Sequence, residues 1–351
     1  MLTSLPGPAP GTVRRTLSLE ISPDPDWSAG LRVTALGRDL LAGGPDGSRV
    51  LRVTRMTVTI DTASRVTGIE SALPASVTGP LIGAGAASGF RARLAGLDGL
   101  DPPSLESAVL DELPTVRLIS GYARMIELTG ADGPTGAHGV TAAAEAADTA
   151  GGPGTTARQP LHDRRSPMVG ICAGWAPGAT AHQRVLAGAA IVTGTPPAPA
   201  MTSMTPYFHA EPAPQPRSMR RRRILDVAPR PEGYDVFGYF RDSHFDAELR
   251  EGALHEYEVH ARAAADQGCT LERVDVVPHA LPFGECPLAA PNAADLTGAP
   301  LRDIAGTVKE RLAGTRSCTH LNDTLRFLRY VPALADELPG TTMRRAGNGG
   351  S

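Results

Sequence analysis

The chain has almost no lysine. Its 34 basic residues include one Lys, Lys309, and the rest are Arg. Schiff-base chemistry would have to rest on Lys309, which falls on the polar side of a predicted helix, so pyridoxal phosphate is not expected. A phosphate-binding loop of the Walker type has no lysine to use. Nicotinamide and flavin fingerprints are missing as well. Gly83-Ala84-Gly85-Ala86-Ala87-Ser88-Gly89 is glycine-rich. Its spacing departs from that of a dinucleotide loop, and a helix is expected to run through it. Aromatic residues make up 4% of the chain, so the core must be built mainly from Leu, Val, Ile and Ala. Four Cys at irregular spacing form no disulfide framework. No apolar core of a signal peptide is visible between Met1 and Thr12. The most apolar run, Val185 to Val192, is too short to span a bilayer. A cytoplasmic protein with reduced thiols is expected. The formal charge of −3 gives no general attraction to nucleic acid or to anionic membrane.

What is present is a chain of 351 residues with 39 Gly and 32 Pro, long enough for one large or two ordinary domains with many turns. Two stretches look related. One runs from Arg14-Arg15 to Gly37-Arg38-Asp39, the other from Arg220-Arg221-Arg222-Arg223 to Phe240-Arg241-Asp242. Strand-like runs follow each Arg-Asp pair. Then come Leu81-Ile82-Gly83 or Leu296-Thr297-Gly298, and each stretch closes on Arg-Leu-Ala-Gly, at 93–96 and 311–314. The expected fold is α+β, with two diverged β-β-β-α repeats packed as a pseudo-dimer, antiparallel sheets and helices on one face. The expected division is an N-terminal structural repeat over 13–126, an Ala/Gly/Pro-rich linker and insertion over 127–216, a C-terminal repeat carrying the site over 217–338, and a disordered tail over 339–351. His255, Tyr257, Val259 and Ala261 share one predicted strand face, and Glu256, Glu258, His260 and Arg262 the other. Leu301, Ile304, Ala305, Val308 and Leu312 lie at helical spacing, as do Leu321, Leu325 and Leu328 before Pro332, which is expected to stop that helix. The Arg220–Arg223 run reads as a solvated strand start with no aromatic platform, so nucleic acid is not an expected partner. Within the linker, Gly170-Ile171-Cys172-Ala173-Gly174-Trp175 reads as a small ordered island.

Three polar clusters concentrate the scarce Cys with His in the C-terminal third: His255-Glu256-Tyr257, Glu285-Cys286-Pro287 and Cys318-Thr319-His320-Leu321-Asn322-Asp323. Strand ends and helix N-termini meet at one edge of a layered α/β unit, so these groups can converge there. Thiolates and imidazoles suit Zn or another borderline metal, and His255, Cys286, Cys318 and His320 are the candidate ligands. Without a metal, the same edge offers Asp242, His244 and Glu285 as acid and base, with Cys286 or Cys318 as nucleophile. The N-terminal stretch lacks these groups. It has Pro74-Ala75-Ser76 and Pro102-Pro103-Ser104-Leu105 at the corresponding places, and no His precedes His138.

With Phe240-Arg241-Asp242-Ser243-His244, these clusters resemble a bacterial family of unknown function abundant in actinobacteria, over about residues 166–338. The resemblance implies relatedness and no activity. A more distant similarity is to the iron–sulfur cluster scaffold fold, whose three cysteine positions would fall near His255, Cys286 and Cys318. This sequence departs from it by having His in place of the first Cys, and Glu256-Tyr257 in place of the Gly-Asp that follows. The resemblance implies a metal pocket at that edge, holding Zn or Fe. The expected function is a small-molecule enzyme using that metal as Lewis acid, with Glu256 or Asp242 moving protons. Isomerisation, cyclisation, hydration or hydrolysis of a largely apolar substrate would fit. A metal-free acid–base enzyme, or a non-catalytic metal- or ligand-binding accessory protein, fits the same residues. Neither nucleic acid nor membrane is an expected partner, and a homodimer is compatible with the sequence.

Overall fold

The alternating runs of the sequence become strands. The computed structural model describes residues 5–43, 47–129, 168–189, 191, 195–198 and 207–339. Residues 130–167, 190, 192–194 and 199–206 of the expected linker, and nearly all of the expected tail, 340–351, lie outside the described residues. Four strands, β1 (Val13–Pro23), β2 (Gly30–Leu41), β3 (Arg49–Asp61) and β4 (Val66–Glu70), form one antiparallel meander. Four more, β5 (Met219–Arg230), β6 (Gly233–Phe245), β7 (Glu251–Ala264) and β8 (Leu271–Ala280), form a second. β1 pairs antiparallel with β5, Val13 opposite Val227 and Ile21 opposite Met219. One eight-stranded sheet results, in the order β4-β3-β2-β1-β5-β6-β7-β8. The α+β class and the antiparallel strands are as expected, but each meander has four strands where three were expected, and the two share one sheet. Periodicity marks a strand and its faces, but it carries no signal for which edges pair.

Seven α-helices lie among the described residues: α1 (Ala75–Thr78), α2 (Phe90–Ala95), α3 (Leu105–Thr129), α4 (Thr180–Leu186), α5 (Ile304–Arg311), α6 (Thr319–Arg326) and α7 (Val331–Ala335). The long helix α3 buries Val109, Leu113, Val116, Ile119 and Ala123, a stripe at helical spacing. That stripe packs on the sheet face bearing Leu17, Leu19 and Ile21 of β1. The opposite side of β1 carries Thr16, Ser18 and Glu20, met by His209 and Arg220. Leu5 and Phe208 cover Ile224 and Tyr239 on that second face. Pro332 does not stop the last helix. The chain passes from α6 through a 3-10 turn, Phe327–Tyr330, into α7, whose first turn contains Pro332. There a missing N–H costs nothing. The glycine-rich run at 83–89 is also not a helix. Gly83 and Gly89 take φ of +79° and +85°, and Ala86 N–H bonds back to Ser64. No helix among the described residues is long and apolar enough to cross a membrane.

The Arg220–Arg223 run is not solvated. All four side chains are buried, because β5 is central in the sheet and covered on both faces. Arg220 pairs with Glu20 at 2.7 Å and Arg222 with Glu211 at 2.8 Å. On the helical side, Arg223 meets Glu112 at 2.5 Å, and Arg221 meets both Glu112 and Asp242. The recurring Arg-Asp pairs have a register meaning. Arg15 lies opposite Asp39 across β1 and β2, and Arg221 opposite Asp242 across β5 and β6. Each carboxylate accepts two guanidinium N–H bonds at 2.8 Å. A slip of one residue would bury these charges unpaired, so the pairs fix the alignment of the sheet's central strands.

Candidate functional site

Asp242 and His255 come together through strand register. They are direct partners across β6 and β7, next to a bulge where Ser243 pairs with Ala253. The extra residue, Leu254, lets two consecutive side chains of β7, Leu254 and His255, border one cavity. His320 arrives from the first turn of α6 and stacks on His255, with ring centroids 3.5 Å apart and planes at 20°. One donor atom from each of Asp242, His255 and His320 lies within 4.8 Å of the others. Cys318 precedes α6, and its Sγ stands 4.0 Å from His320 Nδ1. Cys286 opens the 3-10 segment Cys286–Leu296. Cys172 comes from the ordered island, held over the second meander by Ala173 N–H donating to Ser317 O at 2.7 Å. The three sulfurs and two imidazoles border one cavity of about 190 Å³. The fit is close at the island, where a Cβ on Gly174 would stand 2.7 Å from Cys286 Sγ.

Burial dominates the electrostatics. It lowers the affinity of His255 for a proton, although Asp242 opposes this, and it holds His320 well below the usual imidazole range, with His255 adding to the effect. Both rings are therefore neutral at pH 7 and offer lone pairs. Burial pushes the Cys286 thiol up to about 12 and raises Cys172 and Cys318, each assisted or opposed by neighbouring groups. Burial would also raise Asp242, but Arg221 and then His255 outweigh it, and the carboxylate stays ionised. His255 Nδ1 stands 3.6 Å from Asp242 Oδ2, a contact longer than a hydrogen bond. Among the described residues, His255 Nδ1 and His320 Nε2 have no hydrogen-bond partner, and the Tyr257 hydroxyl lies against the Cys318 thiol. Buried polar atoms without partners are costly, so these nitrogens are free to bind a ligand, an ion or water.

Of the residues singled out in the sequence, His255, Cys286, Cys318 and His320 border the cavity, with Asp242 directly behind His255. The others stand elsewhere. Glu256 lies on the opposite face of the sheet, where it accepts from Arg241 at 2.6 Å and from the Tyr239 hydroxyl at 2.7 Å. Glu285 accepts from the backbone N–H and hydroxyl of Thr180 at 2.9 and 2.8 Å, anchoring the start of α4. His244 is buried edge-on against Tyr122, with both ring nitrogens unpartnered, and burial lowers it to about 4. Cys172 was missed as a site residue. Its signal was an apolar island with Cys and Trp inside low-complexity sequence. The contribution of α3 through Ile119, Tyr122 and Met125 had no local signal, because these residues look like any helix core.

Residues 219–333 match the family model described as "Protein of unknown function (DUF2889)". The chain thus carries a DUF2889 domain. It spans the second meander and the helices that follow, and it contains Asp242, His255, Cys286, Cys318 and His320. Cys172 and the α3 residues lie outside the DUF2889 match, although they border the same cavity. No curated protein and no solved structure matches the chain, so none of them carries the iron–sulfur scaffold likeness to this fold.

Proposed function

We propose that the cavity is a metal centre joined to a small-molecule pocket, and that the protein is a non-redox enzyme acting on a largely apolar substrate. One observation carries this reading: three of the chain's four cysteines, far apart in sequence, converge with two neutral imidazoles on one cavity. Asp242, His255 and His320 would hold a borderline cation such as Zn or Fe(II), with Cys318 or Cys286 as thiolate ligand. The cation would supply Lewis acidity for isomerisation, cyclisation, hydration or hydrolysis, and its charge would lower the thiols that burial raises. The stacked rings keep their lone pairs in nearly parallel, offset planes, so holding a common ion requires one ring to turn. Turning His320 gives up its stacking on His255 and weak contacts of Nδ1, to Cys318 Sγ at 4.0 Å and Thr319 Oγ1 at 3.4 Å. All of these donors come from one chain, so the site serves a monomer and a homodimer alike. The four cysteines are free thiols, which suits the cytoplasm.

The test is metal analysis of protein purified without chelator. About one equivalent of Zn or Fe is expected, lost in Cys318→Ser and His320→Ala proteins that keep their circular dichroism. Metal-free protein that is fully folded, and that takes up no Zn, Fe, Mn or Co on dialysis, would refute the metal. A second reading is metal-free acid–base catalysis. It is favoured by the ionised Asp242 beside His255, which would orient that imidazole as a general base. Activity unchanged by chelation and lost in His255→Gln would select it.

A further inference from the structure

Among the described residues, nothing that borders the cavity carries a formal charge. Its wall contains no Arg, Lys, Asp or Glu side chain among the described residues. The charge of Asp242 lies behind His255 and is matched by Arg221. The polar groups are the two imidazoles, the thiols, the Thr319 hydroxyl and the Tyr122 phenol, and the remainder is apolar. Five of the apolar contributors are aromatic or thioether side chains: Tyr122, Met125, Met168, Trp175 and Phe283. Sulfur and aromatic edges both make favourable contacts with a ring. The volume of about 190 Å³ sets the size. An apolar cavity of about 150 Å³ holds benzene, so this one has room for a single ring with one or two further heavy atoms.

We propose that the cavity binds an uncharged, single-ring organic molecule, aromatic in preference to aliphatic, with one hydrogen-bonding substituent at the His255–His320 end. This rests on reading the cavity as a small-molecule pocket and names the ligand class that the pocket takes. In chelator-treated protein, a carboxylate or ammonium on the same ring would leave water without a counter-charge among the described wall residues, and that desolvation is the basis of discrimination there. Gly121 of α3 offers a way to close the space. It borders the cavity, and a Cβ built on it meets nothing within 4 Å. A larger side chain there occupies the ligand's volume while improving helix propensity.

The chain has two Trp, so Trp27→Phe leaves Trp175, in the cavity wall, as the only indole reporter. The fluorescence of chelator-treated protein is titrated with benzyl alcohol, benzoate and benzylammonium at neutral pH, and calorimetry on the unsubstituted, chelator-treated protein repeats the titration. Saturable binding of benzyl alcohol is expected, with both ions weaker by roughly tenfold or more. Gly121→Leu is expected to weaken the alcohol by roughly tenfold or more without lowering the melting temperature, and Gly121→Ala to weaken it less. Benzoate or benzylammonium binding as tightly as the alcohol would overturn the proposal. So would alcohol binding unaffected by Gly121→Leu, or no saturable binding of benzyl alcohol, toluene and phenol. Metal content is measured on the same samples. Ring binding to chelator-treated protein with no metal uptake removes the metal centre and leaves this inference standing. A metal-loaded protein that binds no ring does the reverse.

Discussion

Replacing Arg221 with Met removes one fully buried charge and leaves another without its partner. Arg221 and Asp242 each have 0% side-chain exposure. The guanidinium donates through Nε and Nη2 to the two carboxylate oxygens, both at 2.8 Å. Its Nη1 also donates to Glu112 at 2.6 Å. Glu112 keeps Arg223, and Asp323 keeps Arg91 and Arg326, so the orphan is Asp242. Breaking a buried pair in this way costs about 3–5 kcal/mol. A domain is stable by only about 5–15 kcal/mol, so the loss takes a large share. Urea unfolding at pH 7, followed by circular dichroism, measures it. Arg221→Met with Asp242→Leu removes both charges and should recover at least about 2 kcal/mol of the sum of the single losses. Arg262, paired with Asp235 at 3.2 Å but 60% exposed, is the control, and Arg262→Met should cost no more than about 1 kcal/mol. An Arg221→Met loss no larger than that of Arg262→Met would refute the claim that buried pairs hold the central strands in register.

Other consequences test separate parts of the structure. Burial, then Arg38 and Arg222, lower His209 to about 3, while Thr16 Oγ1 and Ser18 Oγ hold its ring nitrogens at 2.8 and 2.7 Å. The unfolded ring protonates near its ordinary value, so the unfolded state binds more protons between about pH 6.5 and pH 3. Stability therefore falls on acidification through that window, by about 2 kcal/mol at pH 5 from this group, and His209→Gln should remove that component of the unfolding profile. Gly174→Ala places a Cβ 2.7 Å from Cys286 Sγ and should destabilise by about 1–3 kcal/mol through overpacking, with lower metal content in the purified protein. Cys172→Ser should change the melting temperature by no more than a few degrees and leave the metal content of the purified protein unchanged, because the thiol borders a cavity and is not among the ligands.

Much of the site was legible in the sequence because its donors are chemically rare. His255, Cys286, Cys318 and His320 stand out from a chain of Arg, Ala, Gly and Pro, and strand periodicity assigned His255 and Glu256 to opposite faces, as β7 places them. Local pattern also identified the apolar stripe of Leu321, Leu325 and Leu328, all buried. Patterning failed where distant segments decide the outcome. The Arg220–Arg223 run looks solvated until β1 pairs with β5 and both faces of β5 are covered. Glu285 looks catalytic until α4 settles its start against that carboxylate.

By itself, the sequence determined strand faces, helix stripes and the identity of the metal-capable side chains, because each follows from residue type and short-range spacing. Tertiary structure alone decided that the two meanders share one sheet and that Cys172 and α3 complete a cavity begun by the DUF2889 domain. It also decided that Asp242 stands behind His255 and is bound to Arg221, that Glu256 is bound to Arg241 on the opposite face, and that Glu285 holds Thr180. These outcomes depend on contacts between residues more than a hundred positions apart, such as Arg221 with Glu112. Burial and pairing set their energies, and neither can be read from a local window.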